Sequence, residues 1–169
     1  MLNIDELDLG DWPIDESYLV EIGRIAVLWS KLENFVKNSA ANFAGLDNLE
    51  NTKMYVVFSS NSFCENVELI EKLCALQLPA TPNIKNYAQV INALYQAEVL
   101  KNRYLKGLLR PNQVDNSVEL IFDDEQCPGE VSIVSCDKSS LNEAALEIDK
   151  AQFDLYKLVC ALERPSRKV

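Results

Sequence analysis

Between positions 101 and 110 the chain carries four bases, Lys101, Arg103, Lys106 and Arg110, and no acid, although its net charge is −10. Arginine grips a phosphate with a planar fork of donors, and lysine attracts it as a point charge. Grouped in this way, the four point to an anion, a nucleotide or an RNA phosphate as ligand. Asn102 stands among them, and Glu98 lies one helical turn earlier. The same bases also suit a solvated helix end, where the helix dipole favours positive charge.

Composition narrows the chemistry. Histidine is absent. That removes the usual acid/base group near neutral pH, the Ser-His and Cys-His nucleophile pairs, and most transition-metal sites. The five glycines form no Walker or dinucleotide pattern. No metal and no cofactor are therefore expected. Residues 1–21 hold seven acids and no base, and the overall charge argues against a general nucleic-acid coat protein. Five cysteines, Cys64, Cys74, Cys127, Cys136 and Cys160, form no Cys-x-x-Cys. At this chain length free thiols are expected, with Cys64, Cys74 and Cys160 as small core residues. No apolar run approaches a membrane span. The N-terminal residues lack the basic and apolar regions of a secretory signal. The expectation is a cytoplasmic protein with no membrane partner.

The elements that position these residues read as helices. The 169 residues suit one domain. Residues 1–14 form an acidic arm whose Leu7, Leu9, Trp12 and Ile14 are expected on the surface of the body. Asp15 caps a first helix that runs to about Phe43, with Tyr18, Ile22, Ile25, Trp29, Leu32, Val36 and Phe43 on one stripe. Glu33 follows Trp29 by one turn, and the plain reading is a core tryptophan beside a solvated carboxylate. Asn51 or Thr52 opens a second helical region packed by Met54, Val57 and Phe58. The Ser59-Ser60-Asn61-Ser62 run breaks it. Phe63, Val67, Ile70, Leu73, Cys74 and Gln77 resume the period, which ends at Pro79 and Pro82.

Thr81-Pro82 then signals the helix that carries the basic cluster, from 83 to about 109. At about 100° per residue, Ile84, Ile91, Tyr95, Glu98, Asn102, Leu105 and Leu109 fall near one line. Glu98 and Asn102 interrupt that apolar line. A buried carboxylate needs a partner, and Arg24 of the first helix is the candidate. Residues 117–122 and 131–136 read as the two strands of a hairpin at about 116–136. Ser140-Leu-Asn-Glu143 reads as a capping box. It opens a last helix seamed by Leu141, Ala145, Ile148, Gln152, Leu155, Val159 and Leu162. Residues 164–169 form a short basic tail. The fold class expected is mainly α: an up-and-down bundle of four to five helices over residues 15–163, with a small β-hairpin before the last long helix.

This order, with Trp29-Ser-Lys-Leu-Glu33 on the first helix and Lys101-Asn102-Arg103-Tyr104-Leu105-Lys106-Gly107 at the end of the third long one, resembles the HEPN superfamily of helical bundles. The family motif is Arg-Asn, three variable residues, then His-Gly. Asn102 and Gly107 match it, while Lys101 stands in place of Arg and Lys106 in place of His. Many members are metal-independent ribonucleases, often toxins of toxin–antitoxin or defence systems, in which the Arg and His of two protomers converge on a phosphate. The resemblance implies a homodimer and a protein partner such as an antitoxin or a nucleotidyltransferase-like protein. Lysine in place of histidine is a poor proton carrier near neutral pH.

The leading expectation is a non-catalytic HEPN-like protein that binds RNA or a nucleotide phosphate in a bacterial defence or stress context. Lys101, Asn102, Arg103, Lys106 and Arg110 would meet the anion, supported by Glu98, Trp29, Glu33 and Arg24. The alternatives are a metal-independent endoribonuclease using Lys101, Asn102 and Lys106, and a structural adaptor with no ligand.

Overall fold

The computed structural model of the chain describes residues 14–44, 60–77, 87–112, 117–123 and 129–163. Among them are four helices, α1 (Glu16–Phe43), α2 (Phe63–Gln77), α3 (Tyr87–Lys106) and α4 (Lys138–Glu163). A small antiparallel sheet lies between the last two, formed by β1 (Leu108–Pro111), β2 (Val118–Asp123) and β3 (Val131–Ser135) in that spatial order. The fold is mainly α with a small sheet before the last long helix, in agreement with the sequence pattern.

The helix starts are set by side chains that satisfy free backbone donors. Asp15 accepts from the Ser17 N–H at 2.8 Å and caps α1. Ser62 and Glu65 cap α2 reciprocally: the Glu65 N–H donates to Ser62 Oγ, and the Ser62 N–H donates to the Glu65 carboxylate at 2.6 Å. This box sits where the serine-rich run breaks the helical pattern. At α4 the cap differs from the expected one. The Ser140 N–H donates to Asp137 Oδ1 at 2.8 Å, and the helix begins at Lys138. Ser140 thus closes a cap opened by Asp137, because the acid gives the stronger acceptor and lies next to the end of β3.

The core runs through all four helices. Ile25, Leu32 and Val36 of α1 meet Val67, Ile70 and Cys74 of α2, Leu94 and Ala97 of α3, and Leu141, Ile148 and Leu155 of α4. α1 packs most extensively on α4. Asp15 faces Lys138, Arg24 faces Asn142 and Phe35 faces Tyr156; the pairs advance together, so α1 and α4 run parallel. Of the residues expected on α4's seam, Gln152 and Leu162 are only half-buried, while Ala144, Ala151 and Leu158 complete it. Ile14, expected on the surface of the body, is buried in the core.

α3 differs from expectation in two ways. Its buried residues are Ile91, Leu94 and Ala97, a step of three that slants around the helix. Glu98 and Asn102 therefore lie along the edge of the buried face and are half-buried. The helix also ends at Lys106, so Leu109 and Arg110 belong to a strand. Gly107 makes this turn: a Cβ there would collide with the Arg103 carbonyl oxygen and come within 2.8 Å of Leu120 Cδ1 and 3.1 Å of the Ile121 carbonyl oxygen. The expected two-stranded hairpin is thus a three-stranded sheet. β1 pairs with β2 as Leu108–Ile121 and Arg110–Glu119, and β2 with β3 as Ile121–Ile133 and Glu119–Ser135. Val118 and Leu120 turn inward.

The expected arm residues Leu7, Leu9 and Trp12, the Met54–Val57–Phe58 piece, the Thr81-Pro82 start, Ile84, Cys127 and the basic tail lie outside the described residues. So does the side chain of Gln77.

Candidate functional site

The structure distributes the basic cluster over three local settings. Lys101 leaves α3 toward α1, where its ammonium lies 5.1 Å from the centre of the Trp29 ring. It also donates to Asn102 Oδ1 at 3.3 Å. Trp29 is buried and in turn meets the Phe63 ring of α2, with centroids 4.5 Å apart. Such aromatic faces hold a cation through their quadrupole and leave its charge uncancelled. Arg103 points to the sheet, with its guanidinium 4.9 Å from the centre of the Phe122 ring. Its Nε is buried and has no hydrogen-bond partner among the described residues. Lys106 is exposed in the last turn.

Arg110 and Arg24 do not join this group. Arg110, on β1, donates to Glu119 at 2.9 Å, and Asn112 holds the other oxygen of the same carboxylate at 2.8 Å. That ion pair accounts for its charge. Arg24 is exposed on α1, where it donates to Asn142 at 2.7 Å and faces Glu21 at 3.7 Å. It is not the partner of Glu98.

The partner of Glu98 is Cys64. The Cys64 thiol donates to Glu98 Oε2 at 2.6 Å across α2 and α3. Burial, followed by this hydrogen bond and the nearby Glu98, Glu68 and Glu65 charges, pushes the thiol up to about 11. Cys64 therefore stays protonated at neutral pH and is no nucleophile there. Tyr95 lies beside the same group: burial, then Glu71, Glu68, Cys64 and Glu98, raise its hydroxyl above the usual range. Glu33 is half-buried one turn beyond Trp29.

From the sequence Cys64 reads as a core residue, and Phe63 and Phe122 read only as members of a helical period and of a strand. No local signal marks these residues, because each meets its partner from a different element. Among the described residues no group of three or more His, Cys, Asp or Glu side chains could hold a metal ion. No described helix is long and apolar enough to cross a membrane.

Three cations of α3, Lys101, Arg103 and Lys106, point to α1, to the sheet and to solvent, and none has a carboxylate in ion-pair distance among the described residues. The helix C-terminus offsets about half an elementary charge of them. Comparison of the chain with family models, with curated proteins and with solved structures gives no match.

Proposed function

We propose that this chain is a HEPN-like helical protein that binds a phosphate-bearing ligand, a nucleotide or an RNA phosphate, without cleaving it. The observation that carries the reading is the state of Lys101. It is half-buried, held by the Trp29 ring and the Asn102 amide, and not neutralised by a described carboxylate. A cation fixed in this way keeps its attraction for an anion and loses little side-chain freedom on binding it. Asn102 adds an amide beside it, and Arg103 and Lys106 add charge in the following turn.

Non-cleavage follows from the chemistry of the side chains present. A lysine serves as a base when a dry pocket disfavours its charge, and Lys106 is exposed. The protonated Cys64 thiol is engaged with Glu98. The reading extends to a homodimer, with a protein partner in a bacterial defence or stress context, as the setting in which such a site would work.

Thermal melting of the full chain with inorganic phosphate, ADP or a short single-stranded RNA tests it. Millimolar ligand should raise the melting temperature, as expected for anything that binds only the folded state. Lys101→Met should remove most of the rise, and Arg110→Met should leave it in place. An unchanged melting temperature with all three ligands would overturn the binding reading. RNA cleavage in EDTA that is lost in Lys106→Ala would instead establish the ribonuclease alternative.

A further inference from the structure

β3 is an edge strand without the devices that normally guard one. Cys136, just past its end, donates its N–H to the Val118 carbonyl at 2.8 Å. By alternation along the β2–β3 register, the backbone groups of Ser132 and Val134 turn toward β2. Those of Val131, Ile133 and Ser135 turn away, and among the described residues no strand pairs with them. Proteins protect such edges with charge, proline or bulges. The opposite edge, β1, has Arg110 and Pro111. β3 reads Val-Ser-Ile-Val-Ser, with no charge, proline or glycine.

The outer face of the same sheet carries one apolar row, flanked by Arg110 and Glu119 on one side and Asp123 on the other, where an antiparallel sheet with one buried side should be polar. The register sets Leu108, Ile121 and Ile133 in one row across the three strands. Leu108 is 61% exposed, Ile133 53%, and the neighbouring Val131 59%. A row of this kind, ending on an open edge, is a pairing surface.

We propose that β3 pairs antiparallel with β3 of a second copy about a two-fold axis at Ile133, joining the two sheets into one. The strand itself selects this occupant. Ile133 is its central residue, so the axis sets Ile133 opposite Ile133 of the second copy and Val131 opposite Ser135. The residues with outward backbone groups are the ones that then face each other, and each such pair exchanges two hydrogen bonds. The apolar row continues from one copy into the other without a charged residue of β3 in between. Isologous pairing of this kind closes at two copies. The inference rests on the sheet alone and stands whether or not Lys101 binds phosphate.

Sedimentation equilibrium of the full chain tests it, in salt sufficient to screen the net charge of −10. Over roughly 10 μM to 1 mM, the range suited to a small strand–strand interface, the mass should rise from one chain to two. Ile133→Lys should remain one chain, because like charges would face each other at the axis. Leu108→Lys, on the same face but at the far edge, should still pair. Residue-resolved amide exchange supplies a reading that needs no variant. The Val131, Ile133 and Ser135 amides should gain protection with concentration, while Val134 is protected throughout. A single-chain mass over the whole range, or pairing that persists in Ile133→Lys with those three amides unprotected, would overturn the proposal.

Discussion

Glu98 shows how one side chain changes the reading of its neighbours. On an otherwise apolar helix line a carboxylate demands a donor, and the donor is the thiol of Cys64 on the adjacent helix. A thiol is a weak donor, so the pair affects the reactivity of Cys64 more than the stability of the fold. With its thiol at about 11 instead of the ordinary 9.0, Cys64 carries about a hundredth of the usual thiolate at pH 8. Site-resolved alkylation by iodoacetamide should therefore be slow at pH 8, rise about tenfold per pH unit and level off only near pH 11. Burial is the first cause and the carboxylate the second, so Glu98→Gln should recover only part of the rate. Alkylation of Cys64 at the speed of a free thiol, in either protein, would contradict this account.

At the scale of elements, the decisive position is Gly107. The helical period of α3 continues through Leu108 and Leu109, and leucine is a good helix former. The chain nevertheless leaves the helix, because β1 must lie against β2 and the helix end closes onto Leu120 and Ile121. Only a residue without Cβ fits that approach. Gly107→Ala should destabilise the protein by roughly 1–3 kcal/mol, the usual cost of overpacking. Equilibrium urea unfolding would read this directly, and a variant as stable as the wild type would count against the close contact. The same position marks the boundary of what the sequence reveals. α1 and α4 are legible because cap and apolar period agree locally, Asp15 with the Ile25–Trp29–Leu32–Val36 stripe above all. β1 is not, since a contact between distant elements overrides its own propensity. The site divides in the same way. Lys101 and Trp29 are both visible as residues of interest, but their contact at 5.1 Å is not, because it joins α3 to α1. Arg110 is visible as a base but not as an ion-paired one, because Glu119 reaches it only through strand pairing. Cys64 carries no local mark at all.

For the molecule as a whole, the distribution of titrating groups predicts the shape of stability against pH. The capping carboxylates Asp15, Glu65 and Asp137 are held below their ordinary values by hydrogen bonds from Ser17, Ser62 and Ser140. Their contribution is complete above the unfolded values of 3.8 and 4.5 and is lost as pH falls through the lowered ones. At the other extreme, burial raises Cys64 and Cys74 to about 11 and raises Cys136, Tyr18, Tyr95 and Tyr104 as well. Between pH 9 and 11 the unfolded chain loses thiol protons that the folded chain keeps. The unfolded state then binds fewer protons, the slope of unfolding free energy against pH is negative, and stability falls as pH rises. Between these limbs a protein usually changes stability as histidines titrate, and this chain has none. Calorimetric melting in a thiol reductant should therefore give a plateau from about pH 5 to 8, a decline below about pH 4.5 and a second above pH 9. A pronounced step between pH 6 and 7 would contradict this picture. So would an alkaline limb that rises, since it would require thiols more acidic in the folded protein than in the unfolded chain. If the alkaline limb is as described, Cys74→Ala should flatten it in proportion to the share of that buried thiol. The acid limb, set by caps at three helix starts, should stay where it is.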